Sequence, residues 1–161
     1  MYAIHDKTFF LKLVGDVRLS NAFALYAFSF DKFMPEAPQH TVVDFSTTEG
    51  VDSTTLGLLA QFANEAIAVT HEKPLALCPH EGIRQLLLNM CFQSIFVIPS
   101  ATASPPENFL ELPNTPIDEI EMCQRALAAH QTLSQLSEEN KLEFQDVIIA
   151  LTKDLKDHSA S

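Results

Sequence analysis

Two apolar periods alternate along the first hundred residues, and only one of them continues beyond. Over residues 8–14, Phe9, Leu11 and Leu13 alternate with Phe10, Lys12 and Val14, which is the two-residue period of a strand, and Gly15-Asp16 is its expected stop. Ser20 or Asn21 offers an N-cap to a helix whose inner face carries Phe23, Tyr26, Ala27, Phe30 and Met34, with Pro35 as terminator. Residues 41–46 predict a buried strand, and Leu56, Leu59, Ala63, Ala66 and Ile67 share one face of the helix after it. Residues 74–78 predict a further strand. Ile83, Leu86, Leu87, Met90 and Cys91 follow the spacing of an amphipathic helix, and residues 95–98 close the series as a short strand. Strands alternating with helices give a layered α/β domain.

A small, proline-containing stretch over residues 99–106 interrupts this order, and the chain beyond it is helical. Thr115 as cap, Pro116 at the first helical position and Asp118 in the first turn predict a helix from about 116 to 136. Ser137-Glu138-Glu139 can start another, in which Phe144, Val147, Ile148, Leu151 and Leu155 form one apolar stripe. Such a stripe needs a cover, and the short linker favours cover by the same chain over a second copy. The division expected is a domain over 1–99, a linker over 100–115 and a helical extension over 116–161.

At 161 residues and 47% apolar content the chain can bury one sizeable core. Its net charge of -11 argues against nucleic acid and anionic membranes as partners, since both are held by basic patches. The acidity is uneven, with 11 acidic residues against 4 basic from residue 100 onward. Cys78, Cys91 and Cys123 are odd in number and set among apolar residues, which fits reduced thiols and not a disulfide or zinc framework. No run approaches the roughly 20 apolar residues of a membrane span, and residues 1–7 lack the basic start and apolar run of a signal peptide, so the cytoplasm is the expected compartment.

Chemistry concentrates at Ser53. A lone serine between a strand and a helix can be an N-cap, worth about 1 kcal/mol, or a hydroxyl whose setting tolerates a phosphate's charge. Asp44 and Asp52 are carboxylates without a nearby histidine, a metal-ligand spacing or a phosphate-cradling glycine loop, which argues against an enzyme. His130 lacks the following lysine and glycine of a phosphotransfer histidine and reads as an ordinary helix residue. His80-Glu81 has no third ligand and reads as capping and solvation. Leu25, Phe28 and Phe33 lie off their helix's main stripe and can meet the extension or mark a partner or dimer surface.

Val42-Val43-Asp44-Phe45-Ser46, followed by Asp52-Ser53-Thr54-Thr55-Leu56-Gly57-Leu58-Leu59, resembles the signature of STAS domains: V-x-D-hydrophobic-S, a short loop, then D-S-S/T-G-hydrophobic-G-x-L. Asp44, Asp52, Ser53, Leu56, Gly57 and Leu59 match it, and the order of elements extends the resemblance over roughly residues 2–99. Thr55 stands where the family often has glycine, Arg18 where antagonists often place an acid, and Cys91-Phe92 where a glycine is common after the penultimate helix. The resemblance implies a STAS-like sheet of about four to five strands flanked by helices, to which this chain adds a C-terminal two-helix appendage. It also implies an anti-sigma factor antagonist working by partner switching, with Ser53 phosphorylated and Asp52, Thr54, Thr55, Gly57, Arg18 and Asp44 meeting the partner. Arg18 is expected to pair with Asp52 or with the phosphate. Implied partners are an anti-sigma factor that is a serine kinase and a serine phosphatase, with a homodimer possible and no cofactor or metal needed by this chain. The alternatives are an unmodified STAS subunit of a transporter or stress-signalling assembly, and a small-molecule-binding STAS domain, which would need a concave pocket.

Overall fold

The computed structural model describes residues 1–18, 22, 24–25, 38–100, 106, 108–112 and 118–159. Four strands form one mixed sheet in the order β1-β2-β3-β4: β1 (Tyr2–His5), β2 (Thr8–Val17), β3 (His40–Val51) and β4 (Leu75–Leu77). β1 and β2 are an antiparallel hairpin in register from Tyr2↔Leu11 to His5↔Thr8, and the other two pairings are parallel. The apolar pattern does not announce β1. Its two-residue turn, Asp6 (φ 46) and Lys7 (φ 60), has the positive angles of a type I′ turn without the Asn-Gly chemistry that signals one.

Gly15 does not end β2, as the sequence predicts. With φ +68 it sits between two register shifts, at each of which β3 carries the extra residue, and β2 runs on to Val17. The strand expected over residues 95–98 reduces to a single bridge, Leu75↔Val97, in which the Ala76 amide donates to the Val97 carbonyl at 2.9 Å. Before it a 3-10 turn, Phe92–Ser94, brings Phe92, Ile95 and Phe96 into the core. That inward spacing is helical, so the strand period is the wrong one for this apolar run.

The helices described from end to end are α1 (Ser53–Thr70), α2 (Glu81–Asn89), α3 (Glu119–Ser134) and α4 (Glu138–Ser159). α3 begins later than its expected cap: Asp118, whose carboxylate accepts from the Glu121 amide at 2.7 Å, is the N-cap, and Thr115 and Pro116 lie outside the described residues. Ser137 caps α4 through the Asn140 amide at 3.0 Å. Of the first predicted helix, Ala22 and Leu25 are buried, while Phe23, Tyr26, Ala27, Phe28, Phe30, Phe33 and Met34 lie outside the described residues.

The core gathers Phe9, Leu11, Val43 and Phe45 of the sheet, Leu56 and Leu59 of α1, Leu87 of α2 and Leu133 of α3. Phe144 is buried in it, with Val147 and Ile148 packed alongside, so the stripe of α4 finds its cover within this chain.

Candidate functional site: the start of helix α1

The chain leaves β3 at Val51 and turns into α1 through Asp52, whose extended backbone (φ -86, ψ 167) marks it as the N-cap. Its carboxylate accepts from the Thr55 amide at 2.8 Å, and its own amide donates to the Val17 carbonyl at 3.3 Å, tying the helix start to the end of β2. Ser53 is therefore the first helical residue, and the capping role allowed to it belongs to its neighbour. The hydroxyl of Ser53 is free of cap duty, and it sits where the helix dipole favours negative charge.

Ser53 has a different partner. Its Oγ lies 3.0 Å from Nε2 of His130, on α3. His130 is buried, its Nδ1 lies 2.8 Å from the Ala126 carbonyl, and its ring tilts against Phe144. A carbonyl only accepts, so Nδ1 carries the hydrogen, and in the neutral ring Nε2 accepts from the Ser53 hydroxyl. Reading His130 as an ordinary helix histidine misses this contact. No local signal announces it, because the two residues are 77 apart in sequence and meet only through tertiary packing.

Two further contacts extend the pairing along α1. A Cβ built on Gly57 would overlap the Ala129 carbonyl and stand 2.7 Å from the Ala129 Cβ, so α3 crosses α1 where only glycine leaves room. One turn on, the Gln61 amide donates to the Thr132 hydroxyl at 3.3 Å. Positions 53, 57 and 61 lie on one line of the helix surface, and α3 meets all three.

The remaining predicted residues divide. Thr54 is buried, and Thr55 is fully so, its hydroxyl donating to the Val17 carbonyl at 3.3 Å. Asp44 is also fully buried: its carboxylate accepts from the Ser46 amide at 2.8 Å and stands 3.4 Å from the Lys12 ammonium. Neither Thr55 nor Asp44 offers surface to another protein. Arg18 is exposed and donates from Nε to Asp16 at 2.8 Å. The hydrogen bond to Asp16, then its charge, holds the guanidinium above its ordinary value, and Asp52 acts in the same direction. The structure thus pairs Arg18 with Asp16, with the charge of Asp52 close enough to be felt.

A cavity of about 620 Å³ opens beside Arg18, lined by Thr48, His80 and Gly82 among others, and one of about 420 Å³ lies beside Lys12 and Leu25; Ser53 lines neither. Among the described residues, no three His, Cys, Asp or Glu side chains cluster closely enough to hold a metal ion. None of the described helices is long and apolar enough to cross a membrane.

No protein family matches the chain by sequence, and no curated protein does either. Solved structures do match by fold. The crystal structure of TM1081 from Thermotoga maritima, provisionally assigned as an anti-sigma factor antagonist, superposes with a TM-score of 0.52 at 21% identity, covering 61% of this chain and 83% of that one. The NMR structure of TM1081 gives 0.51 at 22%, covering 60% and 77%. The anti-sigma factor antagonist SpoIIAA in its unphosphorylated form gives 0.49 at 19%, covering 63% and 90%. The fold of this chain, a four-stranded mixed sheet flanked by helices, is thus STAS-like and shared with TM1081.

Proposed function

We propose that this protein is an anti-sigma factor antagonist that switches partners according to the phosphorylation of Ser53. The observation that carries the reading is the placement of Ser53: first residue of α1, not needed as a cap, partly exposed and preceded by Asp52. The fold shared with TM1081 supports it. In the unmodified form the start of α1, around Asp52, Ser53 and Gly57, docks an anti-sigma factor that is also the serine kinase. Phosphorylation adds about -1.5 to -2 charges beside Asp52, and like-charge repulsion with desolvation then opposes docking. A tenfold loss of affinity needs only about 1.4 kcal/mol. A serine phosphatase resets the switch, and this chain, working in the cytoplasm, is not itself a catalyst.

A second reading rests on the Ser53–His130 contact: a hydroxyl already engaged by a buried imidazole suits a STAS module that is never modified and serves as an interaction subunit. The test is affinity for a cognate anti-sigma kinase, measured by calorimetry on the wild type, Ser53→Ala and Ser53→Asp, with intact mass after incubation with kinase and ATP. Partner switching requires a phosphate on Ser53, retained binding by the alanine form and weaker binding by the aspartate form. No phosphate and equal binding by all three would leave the second reading.

A further inference from the structure

We propose that the α3–α4 hairpin is a built-in occupant of the docking surface on α1, and that a partner reaches that surface only by displacing it. This rests on the reading of the Ser53 face as a docking surface, and it adds what now fills that surface. The line of α1 that a partner would touch, positions 53, 57 and 61, is met residue by residue: Ser53 by His130, Gly57 by Ala129 and Gln61 by Thr132.

The two sides of α1 are held in different ways. Toward the sheet, Leu56, Leu59, Ala63 and Ala66 are buried among large apolar side chains, so α1 keeps its place whatever α3 does. Toward α3 the contacts are two hydrogen bonds, a close approach of small residues, and the burial of Leu133 and of Phe144 from α4 in the common core. Asn140, at the start of α4, adds one more tie, its Nδ2 donating to the Met90 carbonyl at 3.1 Å and to the Leu133 carbonyl at 3.0 Å. A helix that takes the hairpin's place must therefore supply similar hydrogen bonds and small residues and also cover the apolar surface that Leu133 and Phe144 leave. The geometry also states what fits: a helix with alanine or glycine opposite Gly57, since a larger residue cannot approach, and an acceptor within reach of the Ser53 hydroxyl. While the hairpin is seated, apparent affinity for such a helix falls in proportion to the open fraction.

The test uses the full chain and a defined probe. Ala129→Glu leaves α1 untouched and sets a carboxylate in the crossing, which unseats α3. A fluorescent peptide spanning residues 118–159 is then titrated against the wild type and the variant, read by anisotropy. At least tenfold tighter binding to Ala129→Glu supports a masked surface; equal affinity for both, or binding to neither, overturns it. Should the variant fail to fold, amide hydrogen exchange on the wild type decides. α3 amides opening at least tenfold more often than those of Val43 to Phe45 in β3 support a displaceable hairpin, and equal protection of the two overturns it. Neither measurement involves a phosphate or an anti-sigma factor. Masking found together with indifference to Ser53 substitution would remove the switch alone, and a phosphate-controlled partner found without masking would remove this inference alone.

Discussion

Replacing Gly57 by alanine sets two well-known effects against each other, and the sign of the result tests how α3 is seated. In the interior of a helix alanine is favoured over glycine by roughly 0.5–1 kcal/mol, so on an uncovered α1 the substitution stabilises. Here the added methyl overlaps the Ala129 carbonyl and lies 2.7 Å from the Ala129 Cβ, and the obstacle is mainly backbone, which cannot rotate away. Overpacking of this sort costs about 1–3 kcal/mol. If α3 retreats, the Ser53–His130 and Gln61–Thr132 hydrogen bonds lengthen, at about 0.5–1.5 kcal/mol each. The expected net is a loss of about 2 kcal/mol, read in urea unfolding, or a fall of roughly 4–8 °C in Tm for a chain of this size. Gly57→Ala as stable as the wild type or more so, with α3 equally protected from exchange, would refute the close crossing.

Asp52→Ala should cost about 1 kcal/mol through the lost cap, whereas Ser53→Ala should cost about 1–3 kcal/mol by leaving the buried Nε2 of His130 without a donor; urea curves separate them, and a neutral Ser53→Ala would show that hydrogen bond to be idle. Lys12→Met should cost about 3 kcal/mol by leaving the Asp44 carboxylate buried beside no cation, and adding Asp44→Asn should recover most of it; no recovery would place the cost in packing. Lys7→Gly should stabilise by about 1 kcal/mol by relieving the left-handed turn, seen as a rise in the urea midpoint, and an unchanged midpoint would mean that the turn is not strained. Burial raises the Cys78 thiol from 9.0 to about 11. Between those values the unfolded chain loses a proton that the folded one keeps, so stability present below pH 9 declines as pH rises toward 11. Cys78→Ala should flatten that slope in urea titrations between pH 8 and pH 10.

Strands β2 and β3 and helices α1, α2 and α4 are legible because each carries one period over enough residues to be unmistakable. What escapes depends on backbone angles or on distance. The hairpin turn at Asp6-Lys7 adopts positive φ without the residues that prefer it, and Gly15 takes a positive φ inside a strand that runs on past it, opposite the bulges of β3. At Asp52-Ser53 two capping residues stand side by side, and only the observed extended backbone of Asp52 assigns the cap. The Ser53 locus itself is visible from its neighbours in sequence. Its partner is not, because His130 is distinguished by where α3 crosses α1 and by nothing in its own surroundings along the chain.

Lys12 and Asp44 stand directly opposite each other on adjacent parallel strands, and the register shifts of that pairing begin just beyond them. A chain zipping β2 onto β3 one residue out of step would turn the inward side chains of one strand outward. Two residues out of step, the faces would survive, but a bare carboxylate would be enclosed between apolar neighbours with its cation displaced. The pair therefore disfavours misaligned pairings of β2 with β3, since a displaced Lys12 leaves the Asp44 carboxylate buried without its cation.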